Sequence, residues 1–220
     1  MFIEDLRDVL LLLLGWLLGL LAPIIVSYFQ EKRQVASLES ALLNELRELQ
    51  YRLVLLVYRI ESKYDEINHE FFQRAQSILT EYKGINTVKS LLDTIGPLLK
   101  LTKDEMAIYS QMTKNSNLPN SGLGLKKHSL SLLESNIALL TKLDPILRGR
   151  LLEIKTRIGY VNETVDEANY YFHLSFQNGI STDNYKIANT NMIGSYKMYA
   201  TQARRVVEII KEIMVRKSEP

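Results

Sequence analysis

From Val9 to Val26 the chain reads VLLLLLGWLLGLLAPIIV, a stretch with no charged residue at all. As a helix it covers about 27 Å, close to the thickness of a bilayer's hydrocarbon core. No other feature constrains the fold as strongly. A helix that is apolar on every side needs an apolar surrounding on every side, and a globular core rarely offers that over so many turns.

Two other uses of such a run fit the residues less well. A cleaved signal peptide wants a basic start and a small-residue exit. Here the start is MFIEDLRD, with Glu4, Asp5 and Asp8 against Arg7, and the exit Leu20-Leu21-Ala22-Pro23 is a poor cleavage site. A buried core helix would carry polar breaks. The expectation is an uncleaved membrane anchor over 9–26, after a short tail over 1–8.

Lys32 and Arg33 follow the run closely, with Arg47 and Arg52 further on, whereas only Arg7 precedes it. The positive-inside rule then places the body in the cytoplasm, on the inner side of a bacterial cytoplasmic membrane. Tyr28 and Phe29 fall where interfacial aromatics sit, and with Lys32 and Arg33 they form an expected set of interfacial anchors. Gly15, Gly19 and Ala22 make a small-residue face of the kind that lets membrane helices pair, so a homo-oligomer is expected in the bilayer.

Removing Arg7, Glu4, Asp5 and Asp8 from the 27 basic and 25 acidic residues leaves a body about four charges positive. That balance is too mild to predict nucleic acid as a partner. With no cysteine in the chain, disulfides, thiolate metal sites and a cysteine nucleophile are excluded.

The body reads as all-α, an antiparallel bundle of three or four long helices. Neither proline nor glycine interrupts the chain from Ser27 to Lys83, and apolar residues recur every eleven positions. One row is Leu38, Leu49, Ile60, Phe71 and Tyr82; another is Leu42, Leu53, Tyr64 and Ala75; a third is Leu56, Ile67 and Ile78. Such a repeat keeps one stripe nearly straight along a helix, so a single long amphipathic helix is expected over 27–84, running on from the span and stopped at Gly84. Leu53 to Tyr58 is apolar all round and marks where this helix is enclosed by others.

Short helices and a loop are expected over 85–125. Asn86 or Thr87 would cap the first, which Gly96-Pro97 would end. Thr102 and Glu105 form a capping box for the next, and Asn115 to Gly124 is a loop of turn formers. Long helices are expected over 126–217. Leu130, Leu133, Ile137 and Leu140 would mark one face before Asp144-Pro145, which reads either as a kink or as a reversal. Another helix would run to Asn178-Gly179, and the last would open at Ser181 or Thr182.

Chemistry is sparse. Glu66-x-x-His69 is half of a bundle-type metal motif, for which Glu45 could supply a further carboxylate; His128 and His173 lack the partner glutamate three residues earlier. There is no nucleophile elbow and no P-loop. No catalytic residue, metal ligand or cofactor is therefore expected. Tyr160 to Tyr199 mixes aromatics with asparagines, including the sequon Asn162-Glu163-Thr164, and suits an interaction surface or an ordinary core. The leading expectation is a non-catalytic, membrane-anchored interaction, scaffold or sensor protein whose body meets a protein partner. A membrane-perturbing effector of a defence or toxin system and a membrane-tethered metalloenzyme are the alternatives.

Overall fold

The structure, a computed structural model, describes residues 2–64, 67–82, 87–116 and 122–218. Among these residues there are only helices and connections, so the body is all-α. The first helix, α1 (Phe2–Tyr64), carries the apolar run and most of the following stripe without a break. At the helical rise it is about 95 Å long. Pro23 sits inside it, and having no N–H it leaves the Gly19 carbonyl without its intrahelical donor. Membrane helices tolerate that arrangement.

The helix expected to reach residue 84 instead ends at Tyr64. After the break α2 (His69–Glu81) starts afresh, with the Asn68 side chain accepting from Phe71 N at 2.9 Å. The chain folds back, so that Tyr58 stacks on Phe71 and Tyr51 on Tyr82. The reversal also shifts the buried register. Phe72, Ala75 and Leu79 enter the core, while Phe71, Ile78 and Tyr82 are only partly covered. Then come α3 (Thr87–Leu98) and α4 (Lys103–Ser116), which flank this corner. The capping box forms as expected: Thr102 N donates to Glu105 Oε2 at 2.7 Å, and Glu105 N donates to Thr102 Oγ1 at 3.3 Å. Helix α4 runs through Asn115 and Ser116, so the expected loop begins later, and 117–121 lie outside the described residues, as do Gly84 and Asn86.

The expected long helix from residue 126 is absent. Residues 122–130 have no regular secondary structure, and the five-residue α5 (Ser131–Ser135) and a 3-10 helix, η1 (Ile137–Lys142), follow. Leu130, Leu133 and Leu140 are buried as the pattern requires, but Ile137 faces outward. Asp144 then caps a new helix, its Oδ2 accepting from Leu147 N at 2.9 Å with Pro145 in the first turn. Asp144-Pro145 is thus a helix start, not a kink inside one.

Helix α6 (Pro145–Leu174) and α7 (Thr182–Ser218) form a hairpin. Gly179 turns it at φ +79°, where a side chain would be strained, and Ser181 Oγ accepts from Asn184 N at 3.2 Å to open α7. Pairings of Glu39 with Lys217, Gln50 with the Val207 carbonyl and Tyr64 with Tyr196 run in opposite directions along α1 and α7. Helix α7 is thus antiparallel to both α1 and α6 and forms the centre of the bundle. Its inward stripe of Tyr196, Tyr199, Ala203, Val206, Ile210 and Ile213 is buried. Leu53 and Ile60 of α1, and Ile154 and Val161 of α6, are fully covered against it. Each such burial contributes about 1.5–3 kcal/mol. Leu53 to Tyr58 is enclosed as expected, every residue being buried or half-buried.

Candidate functional site

Two parts of the molecule stand out, and the first is the outer half of α1. From Leu12 to Phe29 all side chains are exposed, among them Trp16 at 65 % and Ile24 at 65 %. This is one long apolar N-terminal helix of sufficient length to cross a membrane, with none of its apolar stretch buried by the other described residues. Such a surface far exceeds the apolar patches that water-soluble monomers normally expose. A side chain built on Gly15 or Gly19 would meet nothing within 4 Å, so the expected pairing face with Ala22 is uncovered. Tyr28 and Phe29 stand edge to face at 5.9 Å just beyond the run, and Lys32 and Arg33 are exposed one turn later.

The second is the strap from Gly122 to Leu143, which fills the side of the bundle between α1 and α6 where a fourth helix would lie. Leu125, Leu130, Leu133, Leu140 and Leu143 point into the core, and polar side chains from all three long helices satisfy its backbone. Tyr196 OH accepts from Leu123 N at 2.8 Å and donates to Leu123 O at 3.2 Å. Asn162 does the same for His128, its Oδ1 accepting from His128 N and its Nδ2 donating to His128 O, both at 2.8 Å. Glu45 Oε1 reaches from α1 to accept from Leu132 N at 3.0 Å, capping α5, which has no side-chain cap of its own. At the start of the strap a side chain on Gly122 would strike the Phe172 ring at 2.6 Å.

His128 Nε2 and the Tyr199 hydroxyl are hydrogen-bonded at 2.8 Å within this strap. Burial, and secondarily the positive charge of Arg52, hold the His128 pKa below its ordinary value. Burial pushes the Tyr199 phenol up. Both groups are therefore neutral near pH 7, and the pair acts as a pin rather than as a charge.

This accounts for part of the aromatic and asparagine-rich stretch singled out above. Tyr196 and Tyr199 are core residues with satisfied hydroxyls, whereas Tyr160, Tyr170 and Phe176 are exposed. Asn162 of the sequon spends both ends of its amide on His128. No local pattern reveals these partners, because they lie 34 to 73 residues apart in sequence.

Of the metal-motif residues the structure describes His69 and Glu45, and these two face different partners. Glu66 lies outside the described residues. His69 Nε2 faces the Leu101 carbonyl at 2.6 Å, and a carbonyl only accepts, so that nitrogen carries a proton and has no lone pair for a metal. Glu45 faces α5 about 28 Å along α1 from the Tyr64 end. Among the described residues no group of three or more potential ligands converges.

Between α1, α2 and α7 lies a cleft of about 370 Å³, floored by Val54, Val57, Ile78 and Val207. Glu61, 6 % exposed, is held there by Arg204 Nη1 at 2.5 Å. Sequence periodicity had no means of finding this cross-helix pair.

Comparison with protein-family models, curated proteins and solved structures gives no match.

Proposed function

We propose that this chain is a single-pass membrane protein whose helical body works by interaction rather than catalysis. One observation carries the reading: an apolar helical surface from Leu12 to Phe29 that none of the other described residues covers. In water that surface would be a severe liability, and in lipid it is matched to its solvent. The cations at Lys32 and Arg33 favour a cytoplasmic body, in a bacterial cytoplasmic membrane. The open face of Gly15, Gly19 and Ala22 supports pairing of two copies in the bilayer. The body, held together by buried apolar stripes and internal hydrogen bonds, is then a rigid platform that presents its surface to a protein partner at the membrane.

Alkaline carbonate extraction of membranes from expressing cells tests the anchor. The full chain stays in the pellet and a chain lacking residues 1–26 does not; release of the full chain would end the reading. Crosslinking in intact membranes tests the pairing. A dimer that Gly15→Leu with Gly19→Leu abolishes is expected, and monomers alone would remove this part.

A further inference from the structure

We propose that the end of the bundle nearest the span is itself a membrane-binding surface, resting on anionic lipid headgroups so that the body stands on the bilayer. The inference depends on the membrane reading of the apolar run and adds a second point of contact to it.

Three observations meet at this end. Lys142 Nζ bonds Glu31 Oε1 at 2.5 Å, tying η1 to α1 only five residues past Val26. That is about 8 Å beyond the edge of the apolar run, while the headgroup layer is about 5–8 Å thick on each side. The body therefore begins where the headgroups end. Two large apolar side chains, Ile137 on η1 and Ile146 in the first turn of α6, point outward here at 53 % and 54 % exposure. Around them stand Lys32, Arg33, Lys142, Arg148, Arg150, Arg216 and Lys217, against Glu31, Glu39, Asp144 and Glu212. All four acids are engaged, Glu31 with Lys142, Glu39 with Lys217, Glu212 with Arg150 and Asp144 with Leu147 N, which leaves Lys32, Arg33, Arg148 and Arg216 as the excess. At the far end the described charges are mixed, with Lys127 paired to Asp166 and Lys186 to Asp183.

A basic surface with a few protruding apolar side chains is complementary to anionic lipid, and its pull is short-ranged. It operates only on groups held close to the headgroups: the Lys142–Glu31 pair holds η1 there, and Lys217, paired with Glu39 about 20 Å past Val26, comes near them when the body leans toward the bilayer. Contact here would fix the tilt of the body and keep its far end, with exposed Tyr170 and Phe176, pointing away from the bilayer.

The absence of cysteine makes the test direct. Ile137→Cys, Ile146→Cys and the far-end control Tyr170→Cys each take one fluorescent label in the full chain, reconstituted in phosphatidylcholine vesicles with or without phosphatidylglycerol. Shallow spin-labelled lipids should quench the two base labels about twofold or more over the control in anionic vesicles, as expected for groups in the headgroup layer. Adding Arg148→Glu with Arg216→Glu should remove most of that difference. Trp16, the sole tryptophan, reports the span separately through quenching by lipids brominated near the bilayer centre. If Trp16 is quenched while the base labels match the control, or ignore both anionic lipid and the charge reversals, the inference is overturned and the span stands. An unquenched Trp16 overturns both.

Discussion

The two halves of α1 share one backbone geometry and face opposite circumstances. Between Leu12 and Phe29 no side chain is covered, and between Leu38 and Ile60 every third or fourth one is buried. The first half is apolar on all sides and lacks charge; the second alternates apolar stripes with Arg47, Arg52 and Arg59 on the exposed face. Helix formation alone does not distinguish them. What differs is the surrounding each sequence suits: on the proposed membrane reading, lipid on all sides for one, and water and a packed bundle on opposite sides for the other.

A charge placed in each half should separate them most sharply. Leu53→Asp puts a carboxylate at a fully buried site and should abolish cooperative unfolding of the body, while the protein stays in the membrane fraction. Leu17→Asp should do the converse, lowering the membrane-integrated fraction by about the 2.5–3.5 kcal/mol that an acid costs at a span's centre. Circular dichroism melts and carbonate extraction on both variants read the two effects. Loss of both properties in either variant would break the comparison.

Truncation sharpens it. Leu53→Ala should destabilise the body by about 2–5 kcal/mol in denaturant titration, and Leu17→Ala should leave that transition in place. The strap gives a smaller effect. Asn162→Ala orphans the amide and carbonyl of half-buried His128 and should cost about 1–3 kcal/mol, with faster hydrogen exchange over residues 122–130.

The smallest effect is in pH. His128 is held neutral by burial and by Arg52, so its folded pKa lies below the unfolded value near 6.5. The unfolded chain then binds more protons as pH falls, and stability is lost progressively below about 6.5 while it is unaffected above. His128→Gln should flatten that slope in melts between pH 7 and pH 5.

How much of this was legible follows from where each signal resides. The apolar run and the capping box at Thr102 are local signals and appear as read, and the α7 apolar spacing is buried from Tyr196 to Ile213, whereas Ile187 at its start is exposed. The break after Tyr64 was hidden by the eleven-residue apolar repeat, which runs through it to Tyr82. Apolar residues of α2 still face the body after the chain folds back, in a shifted register with Phe72, Ala75 and Leu79 innermost. The strap was not legible. Leu130, Leu133 and Leu140 mimic a helical face, but the 122–130 backbone is satisfied by Tyr196 and Asn162, and that of α5 by Glu45, residues remote in sequence. The Glu61–Arg204 pair, 143 residues apart, is hidden for the same reason.

The central claim, that one helix passes from lipid into a water-bathed bundle, is tested most directly by single cysteines placed along α1 of this cysteine-free chain. Each would be challenged in intact membranes with a membrane-impermeant thiol reagent. The account predicts protection at every position from Leu12 to Val26, whichever way the residue faces. Reactivity should then return around Lys32, with one-sided protection repeating every three to four residues from Leu38 onward. Reactivity on one face of the Leu12–Val26 segment would contradict it, because that pattern belongs to a helix lying against protein in water.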